Sequence, residues 1–302
     1  MTVSLLSRRN VIYLKLVATA LIWGGTFIAG RVAVQSLGPF TTAFLRFAIA
    51  SICLLLVVYR VHGYIPKLSA TQCWAALWLG LTGIFSYNAL FFGGLQTVEA
   101  GRASLIIALN PVAVALGAAV FLKESLSWRK GLGIFISLLG AAWVISRGDV
   151  AALLANAKDS FGLGELMIVG CVVSWMSYTL IGKAVMRTLS PLVASAYACW
   201  VGTLLLLPAA IHEGLWQAIR TIQPGAILSV FYLGMLGSAV GFCWYYDGLK
   251  AIGPAKASAF INLVPVSAIA LAAVILREVP TASIAVGAIL VILGVSITNR
   301  AA

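Results

Sequence analysis

The sequence predicts an all-α polytopic membrane protein with ten transmembrane helices, arranged as two inverted-topology repeats of five. Three observations support this prediction: an apolar composition, ten apolar segments of membrane-spanning length, and an internal duplication. Of the 302 residues, 62% are hydrophobic and 9% are charged, and the mean hydropathy is +1.06. A soluble domain of this size has roughly 25% charged residues. Each apolar segment is close to the ~20 residues that an α-helix needs to cross a membrane.

The predicted spans follow one another with short polar connections. The longest polar stretch, residues 147–160, separates a first five-helix repeat at 1–146 from a second, inverted repeat at 161–302. The predicted spans are 11–33, 40–60, 70–94, 98–121, 129–146, 161–184, 191–211, 223–248, 254–276 and 281–299.

Residues 94–147 recur without a gap 154 positions later. In the first two spans of each half the offset is 152, which places Trp23 on Trp175. A fixed offset over such a length indicates an internal duplication. Identical pairs at the offset of 154 include Gly94 and Gly248, Ala103 and Ala257, Pro111 and Pro265, Glu124 and Glu278, and Gly140 and Gly294.

The distribution of basic residues predicts the orientation in the membrane. Segments on the side of the N-terminus hold thirteen Lys and Arg residues, and the opposite segments hold six. The positive-inside rule therefore predicts cytoplasmic termini and makes 147–160 an extracytoplasmic linker. A repeat with an odd number of spans enters the membrane from opposite sides in its two copies. Such inverted repeats are typical of secondary transporters, whose substrate site lies near the midplane between the halves.

The composition and motifs argue against several other function classes. The net charge is +12, but the basic residues are scattered singly between apolar segments, so we expect lipid rather than nucleic acid as the partner. The five cysteines lie inside apolar segments without a CxxC pair, so neither disulfides nor a metal site is predicted. The sequence has no catalytic or phosphate-binding motif. We therefore expect no enzyme activity and no cofactor.

Several short motifs together resemble the EamA family of the drug/metabolite transporter superfamily. The motifs are Trp23-Gly24-Gly25-Thr26-Phe27, Leu45-Arg46-Phe47, Gly101-Arg102-Ala103-Ser104, Asn110-Pro111 and Lys123-Glu124. The resemblance covers nearly the whole chain and implies ten helices, cytoplasmic termini and export of amino acids or other small metabolites. Within the family, the chain is similar to bacterial exporters of aromatic and other neutral amino acids, which implies a multi-pass protein of the bacterial inner membrane.

Two prolines lie at equivalent points of the fourth and ninth spans, Pro111 and Pro265. Proline removes a backbone donor, so we expect each helix to bend there and to serve gating or the substrate path. At helical spacing Asn262 shares a face with Pro265 and is a candidate substrate contact, although it could instead bond a neighbouring helix. Asn110 is expected to point elsewhere and to make a local bond near the break.

Polar and aromatic residues well inside the spans are the other candidates for substrate binding. Aromatic rings with polar tips suit an amphiphilic amino acid, although packing between helices is the alternative for each ring. Arg46 is the one cation clearly within a span, and it could bind a substrate carboxylate or serve structure and gating. Its repeat equivalent is Ala198. These candidates are Trp23, Arg46, Tyr87, Asn88, Trp175 and Tyr178.

We therefore predict a secondary transporter that exports neutral or aromatic amino acids, or related small metabolites, by alternating access. A proton-driven transporter commonly keeps a carboxylate or histidine deep within a span, and none is evident here. Facilitated diffusion therefore fits at least as well as proton coupling. Export of drugs or other metabolites is the alternative cargo, and a membrane receptor or scaffold is the alternative class. A monomer is favoured over a dimer.

Overall fold

A computed structural model describes residues 2–121, 127–146, 148–149, 162–252 and 260–300. Within these ranges every element of regular secondary structure is helical. The first half contains α1 (Thr2–Leu37), α2 (Pro39–His62), α3 (Ala70–Leu95), α4 (Ala100–Phe121) and α5 (Trp128–Ile145). The second half contains α6 (Leu163–Val185), α7 (Pro191–Glu213), α8 (Leu215–Arg220), α9 (Pro224–Phe231 continued by Tyr232–Val240 and Gly241–Ile252), α10 (Leu263–Leu276) and α11 (Ala282–Arg300).

Seven helices in the described part of the chain are long and apolar enough to cross a membrane. They are α1 from Asn10, α2, α3, α4, α6, α7 and α9 up to Tyr245. Two shorter apolar helices, Leu263–Leu276 and Ala282–Ile297, follow. The prediction of an all-α polytopic membrane protein is confirmed, and the layout of ten spans in two inverted repeats stays a prediction.

Local sequence signals fix where several helices begin and end. The Ser69 side chain accepts a hydrogen bond from the Gln72 N–H while the Gln72 side chain accepts one from the Ser69 N–H, so a capping box begins α3. Ser190 caps α7 in the simpler way, by accepting from a backbone N–H in the first turn. Helices α2 and α7 end at Gly63 and Gly214, whose φ angles of 74° and 99° suit glycine.

Helices α3 and α9 each contain a π-helical segment, Gly80–Ser86 and Tyr232–Val240. The offset of 154 places Gly80 on Gly234, so the two segments overlap when the halves are aligned. π-Helical turns occur mostly as short insertions in α-helices and are frequent at functional sites. Both segments lie directly before residues that face the interior of the helix bundle, as described below.

Glycines related by the offset of 154 contact residues that are themselves related by the offset of 152. A Cβ at any of these glycines would come closer than 3.0 Å to its neighbour, so the helices approach through glycine. The contacts are Gly80 with Val201 and Gly234 with Ile49, Gly83 with Tyr178 and Gly237 with Thr26, and Gly94 with Ile168 and Gly248 with Leu16. Each of these contacts between the halves therefore has a counterpart in which the glycine comes from the other half.

Helices α5 and α11 pack against each other at the side of the bundle. Their contact includes Ile134, Val291 and Val295. Here too the glycines are reciprocal, since Gly140 lies against Val291 and Gly294 against Ser137. The remaining long helices form the main apolar core, and that core surrounds the cavity described next.

Carboxylates connect the two halves at the end of the molecule where α2 begins, which we name the Pro39 end. Glu213 accepts hydrogen bonds from two N–H groups in the first turn of α2, at 3.1 and 2.6 Å. Glu278 accepts from two N–H groups at the start of α4, both at 3.4 Å, and lies 3.6 Å from Arg31 Nε. Carboxylates are stabilising at helix N-termini, which carry partial positive charge.

An ion pair of a different kind lies toward the opposite end. Lys15 precedes Arg31 by sixteen residues on α1, roughly 24 Å along the helix axis. Lys15 Nζ is 2.7 Å from Asp247 Oδ2, and their side chains are 32% and 51% exposed. Exposed pairs of this kind contribute little to stability.

Candidate functional site

A cavity lies inside the bundle, between helices of both halves. It contains about 650 Å³ of empty space, including the part open to solvent. Its wall is mainly aromatic and aliphatic, and the polar side chains in it other than the aromatic ones are Thr26, Arg46, Asn88 and Asn110. No carboxylate or histidine is among the described residues that line it.

The structure brings five of the seven predicted substrate contacts to this one cavity. They are Trp23, Arg46, Tyr87, Asn88 and Trp175, which lie on helices α1, α2, α3 and α6. Tyr178 is buried behind the wall, with its ring against Gly83 and 5.4 Å from the Trp175 ring, so it supports Trp175 from outside the cavity. The binding role of all these residues stays a prediction.

Arg46 is a buried cation that has only neutral partners among the described residues. The residue is 7% exposed. Its Nε donates to Ser238 Oγ at 2.9 Å, and its Nη1 donates to Asn88 Oδ1 at 3.1 Å. The guanidinium carbon lies 5.0 Å from the centre of the Phe47 ring. Because a buried charge is costly without a counter-charge, this guanidinium favours an anionic group in the cavity.

The neutral partners of Arg46 are oriented by the π-helical segments. Asn88 Nδ2 donates to the carbonyl of Ile84 at 2.8 Å, which leaves the Asn88 oxygen toward Arg46. Ser238 Oγ donates to the carbonyl of Leu233 at 3.0 Å, which leaves an oxygen lone pair for Arg46 Nε. Both carbonyls belong to π-helical segments, so these segments fix the position of the guanidinium.

Two groups of aromatic rings form much of the wall. The Tyr87 ring lies 5.6 Å from the Trp175 ring and 5.9 Å from the Phe91 ring. In the second group, the Trp23 ring lies 6.0 Å from the Phe242 ring, and Trp23 Nε1 donates to the carbonyl of Gly237 at 2.9 Å. These separations are typical of interacting aromatic pairs. With its polar tip bonded, Trp23 can present its ring to a ligand.

The predicted bend positions lie next to an interruption of α4 and close to the start of α10. In α4 the helical segments Ala100–Ile107 and Asn110–Phe121 are separated by two turn residues, just before Pro111. In the second half, the 3₁₀ turn Phe260–Asn262 precedes Pro265. Proline has no N–H, so the carbonyls of Ile107 and Ile261 lose the partner that an α-helix would supply four residues later. Ile107 and Ile261 both line the cavity.

Asn110 differs from its expected position. It is 7% exposed, it lines the cavity, and its Oδ1 has no hydrogen-bond partner among the described residues. The expectation of a local bond was wrong, because helical spacing from Ser104 does not hold across the two turn residues of α4. The side chain of Asn262, the other predicted amide, lies outside the described part of the structure.

Several apolar residues of the wall were not predicted from the sequence. The offset of 154 offered a signal for two of them, since it places Phe242 on Asn88 and Val264 on Asn110. The others had no polar group that would single them out in an apolar span. The missed apolar residues are Phe47, Phe91, Ile107, Phe242, Ile261 and Val264.

Known proteins resemble the whole chain. A transporter of Archaeoglobus fulgidus described as uncharacterized is 31% identical over 287 residues, which cover 95% of this chain and 96% of that protein. The "Probable terminal-alkyne amino-acid exporter" of Streptantibioticus cattleyicolor is 32% identical over 285 residues, which cover 94% of this chain and 92% of that protein. The uncharacterized transporter YyaM of Bacillus subtilis is 28% identical over 284 residues, which cover 94% of this chain and 92% of YyaM.

A solved crystal structure shares the fold. It has a TM-score of 0.67 at 20% sequence identity, and the match covers 96% of each chain. The profile of the EamA-like transporter family matches residues 10–146 and 162–300. The resemblance found from the sequence motifs is therefore confirmed. The chain belongs to the EamA-like transporter family.

Proposed function

We propose that this transporter exports amino acids, neutral or aromatic, or closely related small metabolites, from the cytoplasm. The observation that carries the proposal is the buried Arg46 guanidinium, which has neutral partners and faces a cavity lined by Trp23, Tyr87 and Trp175. A guanidinium binds a carboxylate well, and aromatic rings accommodate an apolar side chain. The name of the Streptantibioticus relative points to the same class of cargo.

The proposed architecture has ten spans in two inverted repeats, 1–146 and 161–302, joined by the extracytoplasmic linker 147–160. The reciprocal glycine contacts support a two-fold relation between the halves, because exchange of roles is what a two-fold axis produces. The family match to two separate segments agrees with a boundary in this region. We propose that the protein resides in a bacterial inner membrane with both termini in the cytoplasm. We also propose that it acts as a monomer, so that one chain provides the whole cavity.

The proposed mechanism is alternating access without covalent chemistry. Inverted halves can exchange conformations, which exposes a midplane site first to one side and then to the other. Since the described cavity wall holds no carboxylate or histidine, facilitated diffusion is favoured over proton coupling. The small molecule and the lipid bilayer are then the partners, and no cofactor takes part.

The test is efflux from proteoliposomes that contain the purified protein. Vesicles are loaded with labelled L-phenylalanine, L-leucine or L-threonine, and the initial efflux rate is compared with that of protein-free vesicles. We expect faster efflux of at least one amino acid, with no acceleration by an imposed pH gradient. Equal rates with and without protein for all amino acids, together with efflux of a cationic drug such as labelled tetraphenylphosphonium, would contradict the proposal in favour of drug export.

A further inference from the structure

The cavity has a buried acceptor that the proposed role of Arg46 does not use. Asn110 is 7% exposed, it lines the cavity, and its Oδ1 lacks a hydrogen-bond partner among the described residues. Buried polar atoms are nearly always bonded in folded proteins. An unpaired acceptor on a cavity wall therefore indicates a ligand that donates a hydrogen bond.

Two further residues of the same wall have carbonyls that lack the usual main-chain donor. The prolines at 111 and 265 leave the carbonyls of Ile107 and Ile261 without the usual donor four residues later, and both isoleucines line the cavity. Neighbouring N–H groups of α4 are already used, since Ala108 N donates to Ser104 O at 2.9 Å and Leu109 N donates to Ile106 O at 3.1 Å. The main chain at these points therefore offers oxygen atoms, while the Ala108 and Leu109 N–H groups are not free to donate to a ligand.

Oxygen acceptors of this kind suit an ammonium group. An ammonium has three N–H donors and no acceptor. In transporters, the carbonyls of unwound helix segments coordinate coupling cations such as Na⁺, so main-chain oxygens of this kind can hold a positive charge. Arg46 lies on the same cavity wall, on α2, while Asn110 lies on α4, so an anionic group and an ammonium group of one ligand would be held by different helices.

We propose that Asn110 Oδ1, with the carbonyls of Ile107 and Ile261, binds the α-ammonium of the substrate, so that the transporter selects amino acids with a free amine over N-blocked amino acids and simple carboxylic acids. This proposal rests on the proposed function and deepens it, because it names the zwitterion as the substrate class. No covalent step is involved. The amine stays charged while it is bound, and the carbonyls replace the water that it loses.

The experiment measures competition in counterflow with proteoliposomes. Labelled L-phenylalanine and L-leucine are the tracers, and the competitors are the unlabelled parent amino acid and its N-acetyl derivative. For each competitor we measure the concentration that halves tracer counterflow. For the wild-type protein we expect the ratio of this concentration for the N-acetyl derivative to that for the parent to be about ten or more. Asn110→Val introduces the residue found at the equivalent position 264 and should reduce this ratio toward one. Asn110→Asp places a carboxylate at the amine and should raise it.

A matched control removes a different unpaired polar atom. Ser137 Oγ is buried without a partner among the described residues, but it lies where α5 meets α11 and does not line the cavity. Ser137→Ala should leave the ratio unchanged. The proposal is overturned if the wild-type protein transports the N-acetyl derivatives as well as the parents, or if both Asn110 variants keep the wild-type ratio. Absence of transport of every amino acid in the efflux assay, L-threonine included, would instead contradict the proposed function.

Discussion

The two halves of the chain make unequal contributions to the cavity. At three equivalent positions the first half has a polar residue and the second half has an apolar one, and all of these residues except Ala198 line the cavity. The pairs are Arg46 and Ala198, Asn88 and Phe242, and Asn110 and Val264. Elsewhere the wall is repeated, since Trp23 and Trp175 both line it, as do Ile107 and Ile261.

The residues that are repeated in both halves shape the cavity, whereas the residues that differ supply its hydrogen-bonding groups. Equivalent glycines give both halves the same close approaches, equivalent prolines lie in α4 and α10, and equivalent tryptophans line the cavity. The hydrogen-bonding groups are concentrated in the first half, so an amphiphilic ligand has a defined direction in the cavity. Its charged end is expected at Arg46 and Asn110, and its side chain is expected beside Phe242 and Val264.

The largest expected effect comes from making the first half resemble the second at Arg46. Arg46→Ala should lower the efflux rate of the transported amino acid about 100-fold, because a charge-assisted hydrogen bond worth about 3 kcal/mol is lost. The measurement is initial efflux from proteoliposomes at equal protein content. Arg220→Ala, at an exposed position of α8, is the control and should keep the wild-type rate. Near-normal transport by Arg46→Ala would mean that Arg46 has a structural role.

A smaller loss is expected from the aromatic wall. Tyr87→Ala and Trp175→Ala should each lower efflux about tenfold, since each removes stacking surface at the ligand. Trp78→Ala is a matched control, because Trp78 lies on the same helix as Tyr87 but is 51% exposed on the outer surface of the bundle. Normal efflux by both cavity variants, with normal amounts of protein in the vesicles, would place the substrate elsewhere.

Phe242 tests the apolar side of the comparison. Phe242→Ala should reduce the preference for L-phenylalanine over L-threonine about fivefold, because one aromatic contact with the substrate side chain is lost. The ratio between parent and N-acetyl competitors should stay unchanged, since the polar groups of the first half are retained. A change in that second ratio would argue that the two sides of the cavity do not act separately.

The smallest effect is expected at the carboxylates of the Pro39 end. Glu278→Gln weakens the contacts with Arg31 and with the start of α4, and it should cost about 1 kcal/mol. The apparent Tm in detergent should fall by about 2–4 °C at a fixed heating rate. Asp247→Asn at the exposed Lys15 pair is the comparison and should change Tm by less. Equal decreases in Tm would mean that the carboxylates at the two ends contribute equally to stability.

Much of this site could be predicted because duplication and polarity leave signals in a sequence. The offset identified Pro111 and Pro265, and polar or aromatic character within spans identified Trp23, Arg46 and Tyr87. Asn110 was misplaced because its direction depends on the two turn residues of α4, which no residue spacing reveals. The partners of Arg46 were also out of reach, since Asn88 and Ser238 lie 42 and 192 residues away in the chain.

Because of the π-helical segment in α3, the direction of the cavity side chains on this helix depends on the number of residues in the segment. Each residue of a helix turns the chain by about 100°, so deleting one residue from Gly80–Ser86 would rotate everything that follows it in α3. Tyr87 and Asn88 would then turn away from the cavity, and Arg46 would lose one of its two hydrogen-bond partners. A single deletion there would thus redirect a whole set of side chains at once, a change that no single substitution in this helix can produce.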